Sequence, residues 1–421
     1  MFNNSGLSLN QAPPIKVVLR FFLTGSFFGI VAGLYALFAP NIFEIASTHT
    51  IILTHILTLG VMASFMLGAL FQMLPVLCGA AILTPIPTSL KIHYSLLIGV
   101  IFLIATFYTS SFNISLFAIF FLSAALLGAF YTLTKELLSI THNNSSFGML
   151  LSLFSLFFLT LIGFALLLVR VGVGWDTDYL LVKEIHISFA IFGWVSLLIM
   201  AVAFQVIEMF YVTLAYPSWF AKYAPLLIFA LLLIELIFKL TFLKYIIAAI
   251  LALFAILTIV RLVKRKRKVN DATIWFWLLS MGSLLLFVLF LFIDIFFPLN
   301  YFYLGIFFSF FAISAIFAMS YKIVPFLVWF HLNAQGYFNA PMMHEVIHPK
   351  IVRLTFYIYS SSFIFFLFSF IWSPIIKIGA ILYTLAFVVL FTNVYIAWKK
   401  YIATKKEGKK FEFGGEIKNI P

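Results

Sequence analysis

Long apolar stretches separated by short polar or turn-forming breaks run through the whole chain. The stretches lack the strict alternation of half-buried strands, and most reach the roughly 20 residues that a helix needs to cross a membrane. Only helices and closed barrels satisfy the backbone in lipid, so these runs predict transmembrane helices. Pro40-Asn41 and Pro85-Ile86-Pro87 are typical of turns between spans. The pattern predicts twelve spans, near 16–39, 49–78, 92–109, 113–133, 147–170, 184–213, 219–239, 242–262, 273–297, 301–330, 353–373 and 375–398.

Composition supports this prediction. The chain is 64% hydrophobic and 9% charged, with a mean hydropathy of +1.17, which leaves too little polar side chain for a water-soluble globule. We therefore expect an all-α, polytopic bundle of about twelve helices. Residues 1–400 are expected to form a single transmembrane domain, and residues 401–421 a disordered, basic cytoplasmic tail. The single cysteine, Cys78, excludes a disulfide framework and a multi-thiolate metal site, so we expect it to serve packing.

The net charge of +13 is distributed unevenly over the predicted loops. Twenty of the 26 Lys and Arg residues fall on one side of the twelve spans, five on the other, and Lys322 lies within a span. The positive-inside rule then places both termini and the basic loops in the cytoplasm. The run from Lys264 to Lys268 is an orientation signal first and a contact for anionic lipid second, so no nucleic-acid partner is expected.

Three predicted spans share a pattern. Span two, "HILTLGVMASFMLGALFQMLPVL", and span six, "HISFAIFGWVSLLIMAVAFQVIEMF", align with Gly60 on Gly193 and Gln72 on Gln205, at a constant separation of 133 residues. Span ten ends in Ile-Val-Pro where span two has Met-Leu-Pro, with Lys322 at the position of the glutamines. A motif that recurs every fourth helix predicts three pseudo-equivalent arcs of four helices.

The histidines are the main candidate site residues. Spans two and six run in the same direction, so His55 and His186 are predicted at a common depth in the outer half of the membrane. An intramembrane histidine suggests a site, and a pair at one level could ligate a heme iron or a copper ion. Hydrogen bonds between helices are the alternative. His49 is expected to form a hydrogen bond near the interface. The other five are predicted in cytoplasmic loops or at the inner mouth of span three, and they are His93, His142, His331, His344 and His348.

The layout resembles the catalytic subunit I of heme-copper oxidases and nitric-oxide reductases. More narrowly, "HILTLG…GALFQMLPV", "HISFAIFGWVSLLIM" and "YKIVPFLVWFH" are similar to short members of that superfamily that bacteria carry beside their oxidases. The resemblance implies a bacterial inner-membrane protein with three helical arcs. It also implies that His55 ligates a heme and that His186 takes a copper-type role.

The sequence departs from that family in its ligands. An oxidase adds a histidine pair on span seven and two histidines on span ten, and the corresponding segments here contain none. A complete binuclear centre is not expected, and therefore no complete oxygen reductase. The remaining expectations are binding or reduction of a diatomic gas such as nitric oxide, electron relay, or handling of heme or copper. Electrons would come from a partner cytochrome or quinol, because the chain has no Cys-x-x-Cys-His motif.

Buried polar residues suggest a second feature. Glu208 and Lys322 are predicted at matching levels near the inner ends of spans six and ten, where pairing would neutralise both charges. Together with Gln72 and Gln205 they would form a polar girdle, serving as a structural lock or a proton entry.

Two rival functions are compatible with parts of the sequence. Twelve spans with internal repeats and both ends inside are also typical of secondary transporters, although the apolar mid-span residues argue against that class. A lipid-modifying enzyme would need clustered Asp and His at the interface, and Asp176 with Asp178 is the only close pair.

Overall fold

Twelve long helices form the protein. The computed structural model describes residues 11–40, 42, 44, 47–174 and 178–408, and in this part of the chain every regular element is helical. All twelve predicted spans are present, so the predicted fold class is confirmed. The spans are Ile15–Phe38, Thr48–Cys78, Pro85–Thr109, Phe112–Leu138, Asn144–Arg170, Tyr179–Tyr211, Ser218–Phe238, Leu243–Val263, Ala272–Ile293, Tyr301–Ala334, Pro349–Phe368 and Ser373–Glu407.

Short polar side chains at the breaks begin several spans. Asn143 accepts a hydrogen bond from the Ser146 backbone N–H at 2.8 Å, and the Ser146 hydroxyl accepts one in return from the Asn143 N–H at 2.9 Å. Asp178 accepts from the first turn of span six, and Asp271 accepts from the Thr273 N–H at 2.9 Å. Each cap satisfies backbone donors that the start of a helix leaves free, and it therefore stabilises the first turn of its span.

The contacts between spans repeat every four helices. The first helix of each group of four contacts the second and third, and the third contacts the fourth. Successive groups meet where span four contacts span five, span eight contacts span nine, and span twelve contacts span one. This closed arrangement is the one expected of three pseudo-equivalent arcs, and it places spans two, six and ten toward the centre of the bundle.

Several predicted boundaries were wrong by a few residues. Span three begins at Pro85, so Pro85-Ile86-Pro87 forms its first turn rather than a break between spans. Span ten continues through Ala334 instead of ending at residue 330, so His331 is helical and buried rather than in a loop. Span twelve continues through Glu407, so residues 401–407 are helical and do not belong to a disordered tail. Residues 409–421 lie outside the described part of the chain. We call the end of the bundle that holds Arg20, Lys322 and most other Lys and Arg residues the basic end.

Spans two and six are not regular α-helices throughout. Each contains an eight-residue π-helical stretch, Ile56–Ala63 in span two and Phe189–Ser196 in span six. The two stretches are separated by 133 residues, the same offset that aligns their glycines and glutamines. Span ten is α-helical throughout. Because π-helical segments in α-helices often mark functional sites, the shared stretch directs attention to the residues beside it.

Candidate functional site

His55 is the last residue before the π-helical stretch of span two. Its Nδ1 lies 2.8 Å from the Ile51 carbonyl oxygen, one turn earlier in the same span. A carbonyl can only accept, so Nδ1 carries the proton and Nε2 is the nitrogen that remains available to a ligand. The ring lies 5.0 Å from that of Phe107 in span three. Span two thus presents an imidazole whose tautomer is set by its own backbone.

His186 lies just before the matching stretch of span six. Its Nδ1 is buried and has no hydrogen-bond partner among the described residues. The ring lies against Gly163 of span five, where an added Cβ would come within 2.9 Å of His186 Cε1. Glycine at this position therefore makes room for the imidazole between the two spans. The Leu159 carbonyl of span five lies near enough to interact with the ring, but no hydrogen bond of normal geometry satisfies Nδ1.

The two histidines stand at equivalent positions along their spans. Each stands seven residues after the start of its span, about 10 Å at 1.5 Å per residue. In the repeat alignment the histidines differ by two positions, and the starts of the two spans differ by the same two. The rings are also close enough to influence each other electrostatically. The common level of His55 and His186 stays a prediction, which these positions support.

Arg170 lies beside the two histidines, at the end of span five that is opposite the basic end. The guanidinium lies 5.4 Å from the Phe107 ring centroid, and Nη2 donates to the Thr48 hydroxyl at 3.2 Å. Its charge acts on His55, and its buried Nε has no partner among the described residues. The group therefore combines two imidazoles with one cation, in a region otherwise lined by apolar side chains.

Both histidine side chains are half-buried, while the Nδ1 atom of His186 is fully buried. Span three contributes Phe107 to the surroundings of His55, and span five contributes Gly163 to those of His186.

Glycine allows the π-helical stretches to approach their neighbours. A Cβ on Gly60 would lie 2.6 Å from Cγ of Phe28 in span one, and a Cβ on Gly193 would lie 2.6 Å from Cβ of Ser155 in span five. Each glycine thus meets the span that precedes its own. The corresponding position in span ten is Phe310, which contacts span eleven instead. The close approach is a property of the first two arcs only.

A separate apolar cavity lies at the centre of the bundle, nearer the basic end. Its volume is about 60 Å³, and spans two, six and ten supply most of its walls. The lining includes Met66, Met73, Met319 and Trp277, and it contains no histidine. The cavity is too small for a porphyrin and does not reach the pair of histidines.

The predicted polar girdle is not a closed set. Lys322 donates to an Asp271 carboxylate oxygen at the start of span nine, rather than pairing with Glu208. Glu208 instead accepts from the Tyr216 N–H at 3.0 Å. The predicted partnership is wrong because the acid nearest to Lys322 in space is a helix cap outside the predicted spans. Gln72 and Gln205 each bury an Oε1 atom without a partner among the described residues.

The ion pair between Lys322 and Asp271 still fastens spans nine and ten together. The Lys322 ammonium also lies 5.3 Å from the Tyr211 ring centroid in span six, and its side chain is 19% exposed. Lys322→Met leaves the acid without its cation, so we expect the free energy of unfolding to fall by about 1–3 kcal/mol. Thermal unfolding in detergent measures this, with Lys377→Met at an exposed site as control. Unchanged stability would show that the pair contributes nothing.

Asp271 also gives this end of the bundle a predicted pH dependence. Burial alone would raise the pKa of Asp271, but the Lys322 ammonium and hydrogen bonds from Thr273 outweigh it and hold that pKa below its ordinary value. A depressed folded-state pKa contributes stability above the unfolded pKa of about 3.9, and this contribution disappears as the pH falls through the folded value. We expect Asp271→Asn to remove part of the acid-induced loss of stability below about pH 4. Parallel acid titrations of the two proteins would contradict this.

Of the remaining six histidines, two bury a ring nitrogen without a partner among the described residues, Nδ1 of His93 and Nε2 of His331. His49 Nδ1 forms the expected hydrogen bond, with the Tyr35 hydroxyl at 2.8 Å. His142, His344 and His348 are exposed, and the short helix Met343–Val346 ends before His348. Sequence reasoning missed the burial of His93, which is 4% exposed inside span three.

Two acidic residues contact span six. Glu235 in span seven is fully buried and accepts from the Ser188 hydroxyl at 2.9 Å. Asp178 caps span six, while Asp176 lies outside the described residues. Among the described residues no three His, Cys, Asp or Glu side chains group closely enough to hold a metal ion. Any metal chemistry at the outer histidines therefore depends on those two imidazoles.

No protein-family profile matches the sequence, and no curated protein matches it. The resemblance to heme-copper oxidase subunit I stays a prediction that rests on the quoted motifs of spans two, six and ten.

Proposed function

We propose that this membrane protein binds a heme through His55 and His186 and belongs to the heme-copper oxidase superfamily in a form with a reduced site. One observation carries the proposal. Two half-buried imidazoles, each with a nitrogen that makes no hydrogen bond to the described residues, stand at equivalent positions of spans two and six and are close enough to interact electrostatically. Paired imidazoles inside a membrane are expensive unless they hold something, and iron and copper are the usual occupants.

The donor atoms of these residues would suit a heme. His55 has its proton fixed on Nδ1 by the Ile51 carbonyl, the arrangement that prepares Nε2 as a ligand. The Arg170 guanidinium acts on His55 and suits the carboxylates that a heme carries. Gly163 permits the His186 ring to lie close to span five. A copper ion held by the same imidazoles is the alternative occupant.

A bound heme would supply one-electron chemistry, and binding of a diatomic gas would require one of the two imidazoles to leave the iron. The chain supplies imidazole ligands, a cation for the carboxylates and an apolar surrounding that limits water. These properties suit binding or reduction of nitric oxide, electron relay, or handling of heme or copper for another enzyme. Electrons would reach the site from a membrane quinol or a partner cytochrome.

An absorption spectrum of the purified full chain, combined with metal analysis, tests the proposal. We expect a Soret band that shifts on dithionite reduction, together with iron at about one atom per chain. Copper without a Soret band would assign the site to copper. A colourless, metal-free protein after purification from heme-replete cells, which also fails to take up added hemin, would overturn the proposal.

The proposed orientation can be tested separately. We propose that the basic end faces the cytoplasm of a bacterial cell, because the Lys and Arg residues concentrate there. Alkaline phosphatase fused after Glu407 should be inactive, and a green fluorescent protein fused there should fluoresce. Fusions in the break after Arg170, at the opposite end, serve as the control and should give the reverse result. Phosphatase activity after Glu407 would contradict the orientation.

A secondary transporter is the second candidate. The central cavity between spans two, six and ten and the π-helical stretches of two of these spans favour it more than the sequence did. In such a protein the interrupted helices would surround a substrate near the membrane midplane. Uptake by proteoliposomes of a colourless protein would support this candidate over heme binding.

A further inference from the structure

A second group of incompletely bonded polar atoms lies at the basic end, between spans one and three. Arg20 stands five residues into span one, and its Nη1 is buried without a partner among the described residues. His93 in span three is 4% exposed, and its buried Nδ1 likewise has no partner there. The two side chains are close enough to interact electrostatically. Two buried nitrogens on neighbouring side chains thus lack an acceptor.

The surroundings hold the His93 ring in place. Its Nε2 lies 2.7 Å from the Thr24 hydroxyl, one helical turn beyond Arg20 on the same span. The Phe21 ring meets it edge to face, with ring centroids 5.1 Å apart, and Tyr94 lies beside it at a similar distance. When the Thr24 hydroxyl donates to Nε2, Nδ1 carries the proton and becomes a donor beside the guanidinium. The site is therefore built from a fixed ring and a cation.

The described residues offer no carboxylate as a counter-charge to this group. Neither Arg20 nor His93 forms an ion pair with a carboxylate within the described residues, where the ion pairs are Lys244 with Glu184 and Lys322 with Asp271. Lys16 and Lys91 add two exposed ammonium groups on the same two spans at the same end. A partly buried guanidinium near lipid is costly without an anion, so the arrangement calls for one from outside the chain.

We propose that Arg20 and His93 bind the phosphate of an anionic phospholipid in the leaflet at the basic end. A phosphate oxygen would accept from Arg20 Nη1 and His93 Nδ1, while Lys16 and Lys91 attract the remaining charge of the headgroup. The exposed Tyr94 ring and the apolar surfaces of spans one and three leave room for the acyl chains alongside. A lipid fits better than free phosphate because Arg20 and His93 lie within membrane spans near the basic end, where lipid headgroups are the nearest source of phosphate.

The full chain, purified in a mild detergent and stripped of lipid, provides the test. Thermal unfolding is recorded during titration with phosphatidylglycerol, phosphatidylcholine or inorganic phosphate, and native mass spectrometry counts retained lipids. Phosphatidylglycerol is expected to raise the melting temperature and to stay bound, while phosphatidylcholine has little effect. Arg20→Gln removes a charged hydrogen bond, so half-maximal protection should need about tenfold more lipid. Lys135→Gln, an exposed cation on span four at the same end, is the control and should behave as wild type.

Two milder variants keep the test decisive if Arg20→Gln fails to fold. His93→Gln retains a partner for Thr24 but loses the Nδ1 donor, and Arg20→Lys retains the charge but loses the forked donors. Both should weaken phosphatidylglycerol binding without abolishing the fold. Protection by inorganic phosphate at similar concentrations would overturn the choice of a lipid while leaving an anion site. Equal protection by phosphatidylcholine, or wild-type lipid binding by folded Arg20 and His93 variants, would overturn the site.

Discussion

Replacing His186 with alanine is expected to remove the heme or metal ion from the purified protein, and replacing His55 is expected to do the same or to leave a weakly bound, altered species. His186 has the stricter requirement, because its Nδ1 is buried with no partner in the described chain. His55 keeps a backbone hydrogen bond whether or not a ligand is present. Loss of one of two ligands should weaken hemin binding by at least about tenfold, or 1.4 kcal/mol. Hemin titrations followed at the Soret maximum measure the change.

The matched control for these variants is His344→Ala. His344 is exposed in the segment between spans ten and eleven, far along the chain from spans two and six. Its removal lowers the number of histidines without changing the surroundings of His55 and His186, so hemin affinity should not change. Equal loss in the control would indicate adventitious binding to surface histidines. Full retention by both His55→Ala and His186→Ala would remove the histidine pair from the account.

Gly193→Ala is expected to have the second large effect. The added Cβ would lie 2.6 Å from Ser155 Cβ and 3.1 Å from a Leu232 methyl carbon, well inside contact distance. Ser155 Cβ is attached directly to the backbone, so relief requires span five to move. Overpacking of this kind costs about 1–3 kcal/mol and should also disturb the π-helical stretch that follows His186. Thermal unfolding and hemin affinity should both decline.

Gly282→Ala provides the control for this prediction. Gly282 lies inside span nine, and a Cβ added there meets no atom within 4 Å. Alanine favours helix over glycine, so stability should stay the same or rise by about 0.5–1 kcal/mol. If Gly193→Ala were as stable as Gly282→Ala, the close packing of spans five and six would not be a requirement of the fold.

The sequence predicted the helices well because their length and uniform hydrophobicity are local properties. Polar residues at the breaks begin several spans, since Asn143 and Asp178 cap the helices that follow them. The end of span ten was predicted too early because its last turn mixes polar and apolar residues, and hydropathy alone does not show that neighbouring helices bury His331. The π-helical stretches carried no recognisable local signal, since Ile56–Ala63 resembles any other apolar segment with one glycine.

The candidate site was predictable in part. The common level of His55 and His186 was predicted from helix geometry and from the repeat, and their matching positions along spans two and six support it. Arg170 was counted only as an outer charge at the end of span five, because a sequence does not show which side chains turn back toward the bundle. The pairing of Lys322 with Asp271 was missed for the same reason, since the partner lies on another helix. Burial of His93 was likewise set by the packing of span one against span three.

The most direct test of the central claim compares the wild-type protein with the double variant His55→Ala/His186→Ala. Both are expressed under heme-replete conditions, and reduced-minus-oxidised spectra are recorded together with heme and metal content per chain. If His55 and His186 hold the group, we expect about one heme or metal ion per wild-type chain and none in the double variant, with both proteins folded. Equal content in the two proteins, or none in either even after addition of hemin and copper, would contradict it.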